Sequence, residues 1–148
     1  MNISTSTKIL LDANVYYAAA KSSTGGSVLI LEFARKKNFT IVTTKHILKE
    51  AERNLRNKES LQVLLQHYEN LKSIKLKKIE IDTQKAVIAL KNIINPKDAL
   101  VLYAAQKARV NFLLTLDKKH FFNPKIKSQK IPFKILTPGD FIQNHLLD

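Results

Sequence analysis

The 148-residue chain contains no cysteine. That excludes a disulfide framework and a thiolate metal site, and it fits a reducing compartment. No apolar run approaches the roughly 18 residues of a membrane-spanning helix. The first residues, MNISTSTK, lack the apolar core of a secretory signal. The expectation is a soluble, cytoplasmic protein with no membrane partner. There is no internal repeat and no low-complexity linker. The absence of G-x-G-x-x-G and of a P-loop argues against nucleotide binding in those styles. Histidines stand apart at 46, 67, 120 and 145, whereas a metal-free ribonuclease would need a pair for general acid and base. Acidic residues are also scarce, with 12 Asp+Glu against 25 Lys+Arg and a net charge of +13. Such a field attracts polyanions, nucleic acid above all. A Lys-biased proteome is the plainer source of the same excess.

What the chain does have is alternation. Its length suggests one domain over residues 1–148, large enough to bury a core without staples. Strand-like runs appear at 8–11, 40–43, 73–81, 111–116 and 132–136. Helical spacing of apolar residues covers 27–37, 44–56, 61–71, 83–94, 98–109 and 139–147, and a further helix-like stretch follows residue 12 directly. Strands alternating with helices predict an α/β fold, with a central parallel sheet of about five strands and helices on both faces. The runs Ile9–Leu11 and Phe112–Leu114 are continuously apolar, as in strands covered on both sides. In 73–81, Ile74 and Leu76 alternate with Lys75 and Lys77 before Lys78 breaks the pattern, which predicts an edge strand with a bulge.

Ligands of open α/β sheets bind beyond the carboxyl ends of the strands. Two carboxylates fall there: Asp12 after KILL and Asp117 after NFLLTL. A third, Asp98, lies in INPKDALVLYAA, where Asn95 reads as a helix N-cap and Pro96 as the first helical residue. Each acid has a plain alternative, Asp12 and Asp117 as N-caps and Asp98 as a capping-box acid. Together they suggest a cluster, and clustered carboxylates repel unless a cation neutralises them. An all-oxygen cluster points to Mg²⁺ or Mn²⁺ rather than Zn²⁺.

The segments KILLDANVYYAA, TTKHILKEAERNL, NPKDALVLYAA, FLLTLDKKHF and ILTPGDFI resemble the successive motifs of the PIN-domain nucleases, a family that includes the VapC-like toxins of toxin–antitoxin pairs. The resemblance implies four acids that bind one or two divalent metals and cleave RNA. By position these are Asp12, Glu50, Asp98 and Asp117. Periodicity does not choose between Glu50 and Glu52, since both border the apolar stripe of their helix; the resemblance selects Glu50. The plain alternative for Glu50 is a solvated acid facing Arg53 or Arg56. Asn14 and Thr115 match polar positions of the family and are expected to support the acids, Thr115 from the same strand face as Asp117. Thr43 or Thr44 either faces a phosphate or caps the helix that follows. One departure stands out: many members carry a further acid just after the last Asp, where this chain has Lys118-Lys119-His120. That substitution weakens one expected metal site.

The segment SSTGGS at 22–27 reads as a loop with Ser27 as N-cap rather than as a phosphate nest. Lys75, Lys77 and Lys78, with the second basic stretch KIKSQKIPFK, are expected to line an RNA path, or else to form a solvated edge. The expectation is a Mg²⁺- or Mn²⁺-dependent endoribonuclease, the toxin of a two-component pair, with an antitoxin protein and a homodimer as implied partners. The alternative is a basic RNA-binding or ribosome-associated module of the same fold with little or no catalysis.

Overall fold

The structure, a computed structural model, describes residues 2–146. The chain runs from β1 (Lys8–Leu11) into α1 (Ala13–Lys21) and α2 (Gly26–Lys37). From β2 (Thr40–Thr44) it passes to α3 (Lys45–Lys58) and α4 (Leu61–Lys72). β3 (Leu76–Ile79) leads to α5 (Thr83–Ala89) and α6 (Pro96–Ala108), and β4 (Phe112–Leu114) to the short α7 (Lys118–Phe121) and α8 (Pro124–Lys127). β5 (Lys134–Leu136) ends in α9 (Pro138–Phe141), which continues into a π-helical turn over Ile142–Leu146. All five strands are parallel, in the order β3-β2-β1-β4-β5. The expected α/β architecture is present.

Ile9, Leu10 and Leu11 are each fully buried. Successive strand residues point to opposite faces, so both faces of β1 are covered. Full burial of such side chains contributes roughly 1.5–3 kcal/mol each, which makes the central strands the heart of the core. α6 packs over β2 and β4, while α1 packs with α2, α3 and α4. Every helix except α2 starts on a side chain that accepts from its first turn. The expected cap of α2, Ser27, instead lies inside the helix and is buried. Gly25 occupies the cap position with φ of 105°, which glycine adopts without the strain of a Cβ.

Several boundaries differ from the sequence pattern. β3 is the expected edge strand, but it is short, and its register with β2 runs unbroken from Ile41–Leu76 to Thr44–Ile79. There is no bulge: Lys77 and Lys78 point to opposite faces and both reach solvent at the edge. The helix expected over 83–94 stops at Ala89, and Asn92 turns the chain with φ of 72°. β4 ends at Leu114, so Thr115 lies beyond the strand and its orientation must come from hydrogen bonds rather than strand periodicity. Of the helix expected over 139–147, Leu147 lies outside the described residues. Among those residues, no helix is long and apolar enough to cross a membrane.

Candidate active site

β1 neighbours both β2 and β4. The chain winds outward from β1 through β2 to β3, then returns to the other side at β4, which opens a crevice at the carboxyl ends of β1 and β4. Asp12 follows β1 directly, and its N–H donates to Leu114 O at 2.9 Å. Asp117 stands just beyond β4. Asp98 lies in the first turn of α6, whose N-cap is Asn95 and first residue Pro96, as the sequence indicates. Glu50 comes from α3. All four acids line one cleft of about 280 Å³, together with Asn14, Tyr17, Asn54, Lys58 and Lys97.

Capping and clustering turn out to be compatible roles. Asp12 Oδ1 accepts from Ala13 N at 2.8 Å and so starts α1. Its Oδ2 accepts from Thr115 Oγ1 at 2.7 Å and from Asn14 Nδ2 at 3.2 Å. Thr115 Oγ1 also accepts from Asp117 N at 3.0 Å, and Asn14 Oδ1 accepts from Leu116 N at 3.1 Å. Asn14 and Thr115 thereby tie the loop after β1 to the loop after β4 and fix the direction of the Asp12 carboxylate. Thr44 caps α3 through Ile47 N, and Thr43 is wholly buried; neither lines the cleft.

The acids feel one another. Burial pushes the Asp12 carboxyl above its ordinary value, against the bonds from Thr115 and Ala13, and the charges of Asp98 and Asp117 push it further. Burial likewise raises Asp98, partly offset by Asn95, and Asp117 adds to the rise. Asp117 goes the other way: burial alone would raise it, but the side-chain and backbone hydrogen bonds of His120 together hold it below the ordinary value. Glu50 forms an ion pair with Lys97, not with Arg53 or Arg56. Its Oε1 is buried, and the Lys97 ammonium is the partner it has there. Glu52 is taken up by Arg56 at 3.0 Å on the exposed side of α3, and of the two acids it is Glu50 that lines the cleft.

Three neighbours of the cleft were not legible as such. Lys97 follows Pro96 in the first turn of α6 and reaches across to α3, a long-range contact without a local signal. A second cavity of about 420 Å³ shares Glu50, Asn54 and Lys97 with the cleft and adds His46, Lys49 and Arg53, making its rim basic. His120 Nδ1 lies 2.7 Å from Asp117 Oδ2 and 3.6 Å from Asp98 Oδ2. The other histidines do different work: His67 is buried against Tyr16 and Tyr68, and His145 packs on Phe112 and Phe141. Lys75, Lys77 and Lys78 are exposed on and beside the edge strand β3, and none of them lines the cleft.

Asp12 and Asp98, both raised by burial and by neighbouring carboxylates, together with Asp117 and Glu50 on the same cleft, are an all-oxygen donor set that fits a hard divalent cation. No curated protein matches the chain. Its backbone is similar to that of VapBC2 from Rickettsia felis, solved bound to a DNA fragment from its promoter, at 20% identity and a TM-score of 0.64 over 88% of this chain and 97% of that one. It is also similar to a toxin–antitoxin complex from Klebsiella pneumoniae, at 19% identity and a TM-score of 0.58 over 88% and 97%. A third similar structure is VapC20 from Mycobacterium tuberculosis, a sarcin–ricin-loop-cleaving toxin, at 13% identity and a TM-score of 0.58 over 75% and 91%. The family model for the PIN domain matches residues 8–119, which span the motifs of all four acids, and the chain belongs to the PIN-domain family.

Proposed function

We propose that the protein is a divalent-metal-dependent endoribonuclease and the toxin of a toxin–antitoxin pair. The observation that carries this reading is the meeting of Asp12, Glu50, Asp98 and Asp117 in one cleft of a chain whose net charge is +13. Membership of the PIN family supports the nuclease, the Klebsiella complex supports an antitoxin partner, and the sarcin–ricin-loop-cleaving toxin supports RNA as substrate. A homodimer remains part of the proposal.

The four acids would hold Mg²⁺ or Mn²⁺, which when bound supplies an acidified water and a counter-charge for the scissile phosphate. The chain's own groups do the rest. Asn14 and Thr115 hold Asp12 in one rotamer. Lys97 neutralises Glu50 in the metal-free protein and, being 71% exposed at its side chain, is long enough to turn to a phosphate. Lys49 and Arg53 extend the basic rim along which an RNA strand would lie. Lys75, Lys77 and Lys78 add to the field from the β3 edge without touching the scissile bond.

The test is incubation of mixed RNAs with the protein in Mg²⁺, Mn²⁺ or EDTA, beside Asp12→Asn. Cleavage that needs the cation and Asp12 is the expected result. Binding without cation-dependent cleavage would overturn it in favour of a PIN-fold RNA-binding module.

A further inference from the structure

Where the family resemblance leads one to expect an acid, the structure turns the His120 ring toward the carboxylates of Asp98 and Asp117, at the edge of the cleft rather than in its lining. Asp117 caps α7, and its Oδ1 accepts from the His120 peptide N–H at 3.0 Å. Asn123 Nδ2 donates to the His120 carbonyl. These bonds fix the backbone of His120, and its position in the first turn carries the ring over the cap. Ligand atoms of Asp98, Asp117 and His120 all lie within 4.8 Å of one another.

We infer that His120 is a direct nitrogen ligand of the divalent cation, and that it shifts the site's preference from Mg²⁺ toward Mn²⁺. The inference rests on the metal-dependent reading above and deepens it. Adjacent ligands of a six-coordinate ion with bonds of about 2.1 Å are roughly 3 Å apart. The separations of 2.7 Å and 3.6 Å from His120 Nδ1 to the two carboxylates bracket that value. In the metal-free protein Nδ1 shares a proton with Asp117 Oδ2; it ligates only as an acceptor, so a bound cation would take the place of that proton and leave the ring proton on Nε2. The side chain is 44% exposed, so water has access to the remaining coordination positions. Replacing an acid by a neutral imidazole removes one negative charge from the site. Mg²⁺ selects hard oxygen donors and holds its water tightly, whereas Mn²⁺ accepts imidazole more readily and stands in the divalent series where nitrogen begins to help.

The direct test is pulsed electron paramagnetic resonance of the Mn²⁺-loaded full chain, with histidine labelled by ¹⁵N. Coupling of Mn²⁺ to a histidine nitrogen, lost in His120→Asn, is the expected signature. Calorimetry gives the second readout. His120→Asn should weaken Mn²⁺ binding tenfold or more with little effect on Mg²⁺. His120→Asp should strengthen Mg²⁺ and reduce the ratio of the two affinities at least tenfold. Mn²⁺ bound without a nitrogen coupling would overturn the inference, as would equal Mn²⁺ affinity in wild type and His120→Asn. Absence of the coupling in the labelled wild type overturns the inference without any variant, and His120→Gln repeats the assignment should His120→Asn misfold. A nitrogen-ligated Mn²⁺ in a protein that cleaves no RNA would sustain the inference while removing the nuclease reading.

Discussion

Replacing Asp98 by Asn should stabilise the metal-free protein. The Asp98 carboxylate is buried on α6, with its Oδ2 accepting from Asn95 Nδ2 at 2.6 Å. An asparagine keeps one oxygen for that bond and turns its amide toward the cleft. What it removes is a charge within 4.8 Å of the Asp117 carboxylate. At an effective dielectric constant near 20, two unit charges at that separation repel by roughly 3–4 kcal/mol, an upper bound. His120 and Lys97 already offset part of this, and loss of an anion from the N-terminus of α6 costs roughly 0.3–1 kcal/mol. The net gain should be about 1 kcal/mol, or about 3 °C in melting temperature for a domain of this size.

The sign of the pH dependence follows from the direction of the shift. Asp98 is raised, so the folded protein binds the proton more tightly than the unfolded chain, and wild-type stability falls as pH rises from the ordinary carboxylate value through the raised one. The advantage of Asp98→Asn should therefore be full at pH 7.5 and vanish below pH 4. In saturating Mn²⁺ the order should invert, because a cation at a hundred times its Kd adds about 2.7 kcal/mol to a protein that binds it. Scanning calorimetry after EDTA dialysis, at both pH values and with Mn²⁺, measures all three. A metal-free mutant that melts several degrees below wild type would refute the repulsion argument and make Asp98 a capping residue alone.

Asp117→Asn should abolish RNA cleavage on a gel and, unlike Asp98→Asn, lose up to about 1 kcal/mol at neutral pH in chemical denaturation. His120 holds that carboxyl low, so its stabilising contribution is present above the ordinary carboxylate value and is lost as pH falls through the depressed one. Leu10→Ala, at a wholly buried position of β1, should cost about 2–5 kcal/mol by urea unfolding. Binding of an uncleavable single-stranded RNA should weaken with salt at a log–log slope near −0.7 per phosphate neutralised. Gln at Lys49, Arg53 and Lys97 should flatten that slope more than Gln at Lys75, Lys77 and Lys78, and the reverse order would move the RNA path to the β3 edge.

The sheet was legible because its central strands are buried on both faces and therefore read as unbroken apolar runs. Asp12 and Asp117 were legible because strand ends and helix starts share the same few residues. Edges were not. Lys77 and Lys78 occur in succession because an edge strand exposes both faces, a tertiary circumstance that alternation reads as a bulge. The early end of α5 depends on Asn92 in the left-handed region, and nothing in the apolar spacing of 83–94 marks it. The place of His120 had a usable signal: a residue three beyond an N-cap lies over that cap. Lys97 had none, because its partner Glu50 lies on another helix and only the fold brings them together.

The parallel order of the sheet has a consequence for when the site comes into being. Thr115 and Asp12, which share a hydrogen bond, are 103 residues apart in the chain. β4 docks against β1 only after β2, β3 and their helices have been made. A nascent chain therefore carries Asp12 and Glu50 early, without Asp98 or Asp117. Such long-range closure is slow compared with helix formation. A chain cut short before β4 would lack Thr115 and Asp117, so the cleft of four acids forms only once β4 has been made and has docked on β1.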